Sequence, residues 1–209
     1  MSDWFPNWSE RAAVLVASGP SASAVDLDPF RRAGCCFLVV NQSYELCPFA
    51  DAVYACDKSW WDYRRGLPEY RGLKITYSAR VGYSDVRCIR IAEGKHEILT
   101  ATPGVVGDGQ NSGFQALNIA IQFGAKLVIL VGFDMGKEKS SVHWYGLNTW
   151  KGARNPDAQD LARWAGHFDT AAPQLIKLGV TVLNLSPRSQ IQAFKKCTAQ
   201  EALDLVRTL

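Results

Sequence analysis

The segment FQALNIAIQFGAKLVILVGFD, residues 114–134, sets the architecture. Its first half places Phe114, Leu117 and Ile121 at helical spacing, which makes one apolar helix face. Its second half, 126–134, is the most hydrophobic run of the chain, as a strand buried on both faces requires. A helix feeding such a strand is the repeating unit of a parallel sheet, so 126–134 is expected near its centre.

The same alternation extends in both directions. Residues 14–18 (VLVAS) read as strand one, and SAVDLDPFRRAG as a short helix stopped by Gly34. Further strands are expected at 36–41, 51–57, 73–78 and 180–186, with a helical turn at KSWWDYRRG. A long helix is expected at 157–179, bent or split by Pro173, and a last helix from Ala199. Residues 86–101 alternate in character around Glu93 and Gly94 and predict a β-hairpin, at an edge or in an insertion. The four glycines of 102–113 predict a loop, and 135–156 a long polar and aromatic one. The expected fold is α/β: a doubly wound, mostly parallel sheet with helices on both faces and a small hairpin insertion at 86–101, in one domain over residues 1–209.

A net charge of +3 is far from the dense basic stripe of a duplex-binding protein, so nucleic acid is not the expected partner. A small phosphate-bearing ligand is compatible with it. The cysteines at 35, 36, 47, 56, 88 and 197 form no CxxC and stand away from histidines at metal spacing, so no metal site is predicted from them. The longest apolar run, 127–131, is too short for a bilayer, and no signal peptide pattern opens the chain. A cytoplasmic protein without membrane contact is expected. The aromatic start MSDWFPNW reads as a cap on the sheet or a partner contact, and 86–101 could serve a homo-oligomer.

Ligands of doubly wound sheets sit beyond the carboxyl ends of the strands, at the switch in strand order, so the strand-end loops are the candidates. Gly19, Pro20 and Ser21 follow strand one. With Ser18 and Ser23 they offer hydroxyls and helix amides to an anion, or they form a tight turn with Ser21 as cap. The motif is neither GxGxxG nor a Walker loop. Asn41, followed by Gln42, carries an amide suited to a base edge, a ribose or a hydroxyl, or to an Asx turn. Asp57 could hold ribose hydroxyls or a metal, or act as a base; Trp60 and Trp61 beyond it cover a ligand or join the core. Asn111, Ser112 and Gly113 open a helix that could take phosphate or carboxylate, or they close a plain connector. Asp134 is an acid at the end of the central strand, and His143 in HWYG a candidate acid or base; His96 and His167 are lesser candidates. Ser186, Pro187 and Ser189 make another hydroxyl-rich turn, where Arg188 meets a phosphate or solvent.

Five segments carry a resemblance: VLVASGPS, VNQSY, the strand-end Asp57, NSGFQALNIAIQFGAKLVILVGFDM and VLNLSPRS. Over roughly residues 12–194 the chain resembles a superfamily joining the DUF115 proteins to bacterial CMP-sialic-acid-dependent sialyltransferases. The DUF115 proteins include 6-hydroxymethylpterin pyrophosphokinase-like and flagellin-glycosylation members. In length the chain is similar to phage and prophage proteins. The resemblance implies a modified Rossmann-like sheet. It implies that Gly19, Pro20, Ser21 and Asn41 hold the nucleotide of an activated donor, and that Asn111, Ser112, Gly113 and Asp134 contact substrate. It implies a histidine base, for which His143 is the candidate.

Three readings follow. The first is a glycosyltransferase-like transferase using a CMP-sugar-like donor, with His143 or Asp57 as base. Amides at 19–21 and 111–113, with Arg188, would stabilise the departing phosphate. The second transfers pyrophosphate from ATP to a small hydroxymethyl heterocycle with Mg2+; a divalent ion would fall to Asp57, Asp108 and Asp134. The third is a non-catalytic phage protein that binds or sequesters a nucleotide.

Overall fold

A computed structural model describes residues 4–138 and 141–209. In chain order its elements are β1 (Ala13–Val16), α1 (Asp28–Arg32), β2 (Cys36–Val40), β3 (Ala52–Tyr54), α2 (Lys58–Tyr63), β4 (Leu73–Thr76), β5 (Val86–Cys88), β6 (Arg90–Ala92), β7 (Val105–Gly107), α3 (Ser112–Gln122), β8 (Leu127–Val131), α4 (Ala158–Lys177), β9 (Thr181–Asn184), β10 (Lys195–Lys196) and α5 (Ala199–Val206). Short 3-10 turns follow β1 at Pro20–Ala24 and β2 at Asn41–Glu45.

Eight strands form one parallel sheet in the order β10-β9-β8-β1-β2-β3-β4-β5. The strands AVLV, CFLVV and LVILV are buried at every position, because helices cover both sides. Leu15, Leu38 and Leu130 face one core with Phe114 and Leu117 of α3 and Phe168 and Leu175 of α4. Val14, Phe37 and Ile129 face the other with Phe30, Trp60, Trp61 and Leu203. Each fully buried aliphatic side chain contributes about 1.5–3 kcal/mol, which is why these apolar runs become the central strands. Trp60 and Trp61 both lie in this core. The N-terminal aromatics cap the far end of α3: Trp4, Phe5 and Trp8 stand edge-on around Phe123, and the Trp8 amide donates to the Phe123 carbonyl at 2.7 Å.

The hairpin expected over 86–101 does not form. A turn does occur at Glu93 and Gly94, where Lys95 N donates to Ala92 O at 3.0 Å. Its outgoing arm finds no place beside the incoming one. β5 instead pairs in parallel with β4 at the sheet edge, and β6 pairs in parallel with β7, a strand inside the stretch expected to be all loop. Pro173 does not split α4, which runs through it.

Candidate functional site

β1 and β8 are neighbours, yet the chain leaves β1 toward β2 and reaches β8 from the other half of the fold. Crossovers diverge at such a switch and leave a crevice at the carboxyl ends of the strands. A cavity of about 470 Å³ opens there. Ser18 and Gly19 after β1, Asn41 after β2, Asp57 after β3 and His143 in the 135–156 loop line it. So do Asn111, Ser112 and Gly113 at the start of α3, and Asp108 before them. The volume falls in the range of small-ligand pockets, about 300–1,000 Å³.

Backbone strain concentrates on this wall. Asn41 (φ 52°), Gln110 (φ 51°) and Met135 (φ 48°) are non-glycine residues in the left-handed region, and all three line the cavity. Each costs on the order of 1–3 kcal/mol and persists only where its surroundings hold it. Asn41 is held by the turn that ends β2. Its buried Oδ1 has no hydrogen-bond partner among the described residues, and neither has the buried Nε1 of Trp164, another cavity residue. Two residues of the cavity wall thus each carry an unpaired polar atom that is itself closed off from solvent.

The opposite wall is the first turn of α3. Asn111 caps the helix, its side chain accepting from Phe114 N at 3.1 Å. Ser112 and Gly113 are the first two residues of α3, where N–H groups lack an intrahelical partner, and the helix dipole makes that end positive. The Ser112 hydroxyl lies 3.0 Å from Cys56 Sγ, whose thiol is pushed up by burial. Tyr54 of β3 donates to Gln115 Oε1 at 2.6 Å, and Gln115 Nε2 donates to Asp108 O at 2.8 Å. Sheet, helix and loop are therefore locked together at this wall.

His143 stacks on Tyr145 with ring centroids 5.1 Å apart. Burial pushes its pKa down to about 4, with the Ser18 backbone opposing, so the ring is neutral near pH 7. Asn148 Nδ2 stands 3.4 Å from His143 Nε2. Asn148 is itself fixed: its Oδ1 accepts from Tyr145 at 2.9 Å and its Nδ2 donates to Arg154 O at 2.9 Å.

The GPS turn departs from its expected use. Gly19 N donates to Gly132 O at 2.9 Å, Pro20 has no N–H, and Ser21 N donates to Asp134 Oδ2 at 3.3 Å. The amides at 19–21 are thus spent inside the protein. Gly19 is required by its neighbours: a Cβ there would stand 2.1 Å from Asp134 Oδ2 and 2.4 Å from Gly132 O. Ser21 is no helix cap; its hydroxyl donates to Asp134 at 2.8 Å and stands 2.9 Å from Ser186 Oγ, which accepts from Phe133 N. Burial raises the Asp134 pKa, and the Ser21 hydrogen bonds oppose that.

Pro20, Ser21, Asp134 and Arg188 line a second cavity, of about 890 Å³, where Arg188 is largely exposed and pairs with Glu138 at 3.5 Å. Ser186 is fully buried. Gln42 is buried away from both, its Oε1 accepting from Trp60 Nε1 at 2.8 Å and Arg64 Nε at 3.0 Å. Ser18, Gly19, Asn41, Asp57, Asn111, Ser112, Gly113 and His143 thus line the first cavity, Pro20, Ser21, Asp134 and Arg188 line the second, and Gln42 and Ser186 line neither. Sequence reasoning missed Arg154, Trp164 and Asn148, which also line the first cavity. The polar and aromatic 135–156 loop held the signal for Arg154 and Asn148; Trp164, inside a long amphipathic helix, had none.

Asp57 and Asp108 line the cavity while Asp134 does not, and among the described residues no three His, Cys, Asp or Glu side chains cluster at metal-holding distance. Among the described residues no helix is long and apolar enough to cross a membrane.

No protein-family model matches the chain, and no curated protein matches it. Two solved structures of the sialyltransferase CstII from Campylobacter jejuni are similar to it. The one in complex with cytidine-5'-monophosphate aligns with a TM-score of 0.53 at 12% identity, over 90% of this chain and 85% of that chain. The one in complex with the substrate analogue CMP-3FNeuAc aligns with a TM-score of 0.49 at 15% identity, over 90% and 86%. The likeness is one of fold: a mostly parallel α/β sheet of the Rossmann-like kind found in that sialyltransferase.

Proposed function

We propose that the chain is a transferase that moves a sugar from a nucleotide-activated donor, of the CMP-sugar kind, to an acceptor hydroxyl. The observation that carries this reading is Asn41. Its strained backbone and its unpaired, buried Oδ1 stand at the switch in strand order, in a cavity sized for a small ligand. A buried acceptor without a partner costs about 1–3 kcal/mol, a cost that a ribose or base donor removes on binding.

In this reading the donor phosphate lies against the Ser112 and Gly113 amides, and the nucleoside reaches Asn41. The acceptor hydroxyl approaches His143. A neutral imidazole takes its proton as the new C–O bond forms at the sugar's anomeric carbon. The bond from that carbon to the phosphate oxygen breaks, and the nucleoside monophosphate leaves with the electron pair. Amides fixed in place before the reaction stabilise that developing charge without reorganising. The fold shared with a sialyltransferase agrees with this reading but assigns none of these roles.

The test is a thermal-shift series with CMP, UMP, AMP, GMP and their sugar conjugates. A ligand at 100 times its Kd adds about 2.7 kcal/mol of stability. CMP or a CMP-sugar is expected to raise Tm, and Asn41→Ala to cut the rise to about half, as a tenfold weaker Kd at the same ligand concentration requires. No response to any nucleotide overturns the reading.

A further inference from the structure

Arg154 is the single lysine or arginine among the described residues that line the cavity, and it shares the wall with two carboxylates, Asp57 and Asp108. Its side chain is 71% exposed and tethered by one carboxylate. Its guanidinium pairs with Asp160, a carboxylate whose side chain is only 4% exposed. Asp160 is locked in turn: it belongs to the capping box of α4, accepting from Asp157 N at 3.3 Å, and its other oxygen takes Arg163. The backbone that carries Arg154 is closed by reciprocal bonds, Asn148 N to Asn155 Oδ1 at 2.8 Å and Asn155 Nδ2 to Asn148 O at 3.0 Å. Asn148 Nδ2 then donates to the Arg154 carbonyl.

We infer that Arg154, positioned by Asp160, is the oxyanion-recognising residue of this cavity, and that it selects ligands by a phosphate or carboxylate group. The inference rests on the donor reading above and adds the group that makes an anionic donor acceptable. A phosphate brought between Asp57 and Asp108 meets like charge, and partial helix charges at Ser112 and Gly113 are modest beside a full cation. A guanidinium presents a planar fork of donors that matches an oxyanion in two bonds at once. Because Asp160 and the asparagine pair already hold the segment, less ordering remains for binding to impose. Arg163 shares the same carboxylate but does not line the cavity, so it is the natural control.

Isothermal titration calorimetry of the full chain with CMP, cytidine, inorganic pyrophosphate and N-acetylneuraminate tests this. Arg154→Gln is expected to weaken CMP at least tenfold and leave cytidine within twofold, Arg154→Lys to fall between, and Arg163→Gln, which loosens Asp160 without touching the cavity, to weaken CMP far less than Arg154→Gln does. Asp160→Asn is expected to lower the CMP-to-cytidine affinity ratio in the wild type and to have no further effect on it in Arg154→Gln, which a merely structural role would not produce. Loss confined to CMP and pyrophosphate marks a phosphate site, and loss confined to N-acetylneuraminate a carboxylate site. Equal affinities in wild type and Arg154→Gln for CMP, pyrophosphate and N-acetylneuraminate alike, or a cytidine loss as large as the CMP loss, overturn the inference. If the wild type binds no nucleotide, the donor reading fails. The arginine then stands if pyrophosphate or N-acetylneuraminate binds the wild type and not Arg154→Gln, and falls if neither anion binds.

Discussion

The Ser21 hydroxyl donates a 2.8 Å hydrogen bond to the Asp134 carboxylate, joining the break after β1 to the end of β8 across 113 residues of chain. The carboxylate is buried, so this bond and the Ser21 amide supply part of the solvation it loses. Ser21→Ala removes one of the two and is expected to destabilise the fold by about 1–3 kcal/mol, read from urea unfolding. Cavity-directed binding of CMP should change little, because Ser21 lies outside that cavity.

Gly19→Ala is expected to be worse. Its new methyl group meets Asp134 Oδ2 at 2.1 Å and the Gly132 carbonyl at 2.4 Å. The first clash involves a side chain and the second a backbone atom that cannot swing away. A loss of about 3 kcal/mol or more is expected, as for severe overpacking. Asp134→Ala should fail to rescue it, since Gly132 remains. A rescued Tm in the double variant would show that the side-chain clash alone matters.

Asn41 separates backbone from amide in one pair of substitutions. At φ 52° glycine is at ease and alanine is not. Asn41→Gly should therefore keep or raise Tm while weakening CMP about tenfold, the equivalent of one lost hydrogen bond. Asn41→Ala should weaken CMP similarly and lower stability by about 1 kcal/mol as well. Calorimetric Kd values paired with Tm check both halves.

His143 makes a pH prediction. Its pKa is about 4 in the folded chain against an ordinary 6.5. Between those values the unfolded chain binds a proton that the folded chain refuses. Stability therefore falls as pH drops from about 6.5 toward 4, and this contribution is flat above that window. Burial lowers His167 as well, with the same sign, so the informative quantity is a difference. The drop in urea midpoint from pH 7.5 to pH 5 should be smaller in His143→Gln than in the wild type. A phosphate bound nearby would favour the imidazolium, so the His143 NMR titration should move upward with CMP. Identical pH profiles for the two proteins would remove burial as the cause.

The rhythm of strands and helices was legible because β1, β2 and β8 are unbroken apolar runs, and their order dictates where the crevice falls. Ser18, Asn41, Asp57, Asn111 and His143 could then be gathered from position alone. Ser21, Asp134 and Ser186 could not be told from them. A hydroxyl or carboxylate at a strand end looks the same in sequence whether it awaits a ligand or a partner 113 or 165 residues away. Gln42 follows the same logic, its partners Trp60 and Arg64 lying 18 and 22 residues on. The 135–156 loop marked Arg154 only as one polar residue among many, because its place on the wall depends on Asp160 and the Asn148–Asn155 closure, neither of which has a periodic signature.

The missing hairpin has a cause that can itself be tested. Asn118 sits fully buried on α3, where an apolar residue would be ordinary. Its Oδ1 accepts from Leu99 N and Gly107 N at 2.9 Å each, and its Nδ2 donates to Leu99 O at 2.7 Å. One turn on, Gln122 accepts from Gly104 N and donates to Val105 O. Two helix side chains thus satisfy the backbone of 99–107 that a hairpin partner would otherwise pair. Asn118→Leu keeps the volume and orphans two backbone amides, those of Leu99 and Gly107, while Leu99 O keeps its bond from Gln122 Nε2 at 2.8 Å; at about 1–3 kcal/mol for each amide, a combined loss of about 2–4 kcal/mol is expected. Asn118→Asp keeps the acceptor and should cost less. Amide exchange at Leu99 and Gly107 should quicken before that of the β1 and β8 amides, since the sheet core does not depend on this side chain. Unchanged exchange at those two amides in Asn118→Leu would mean that β7 holds the segment by itself.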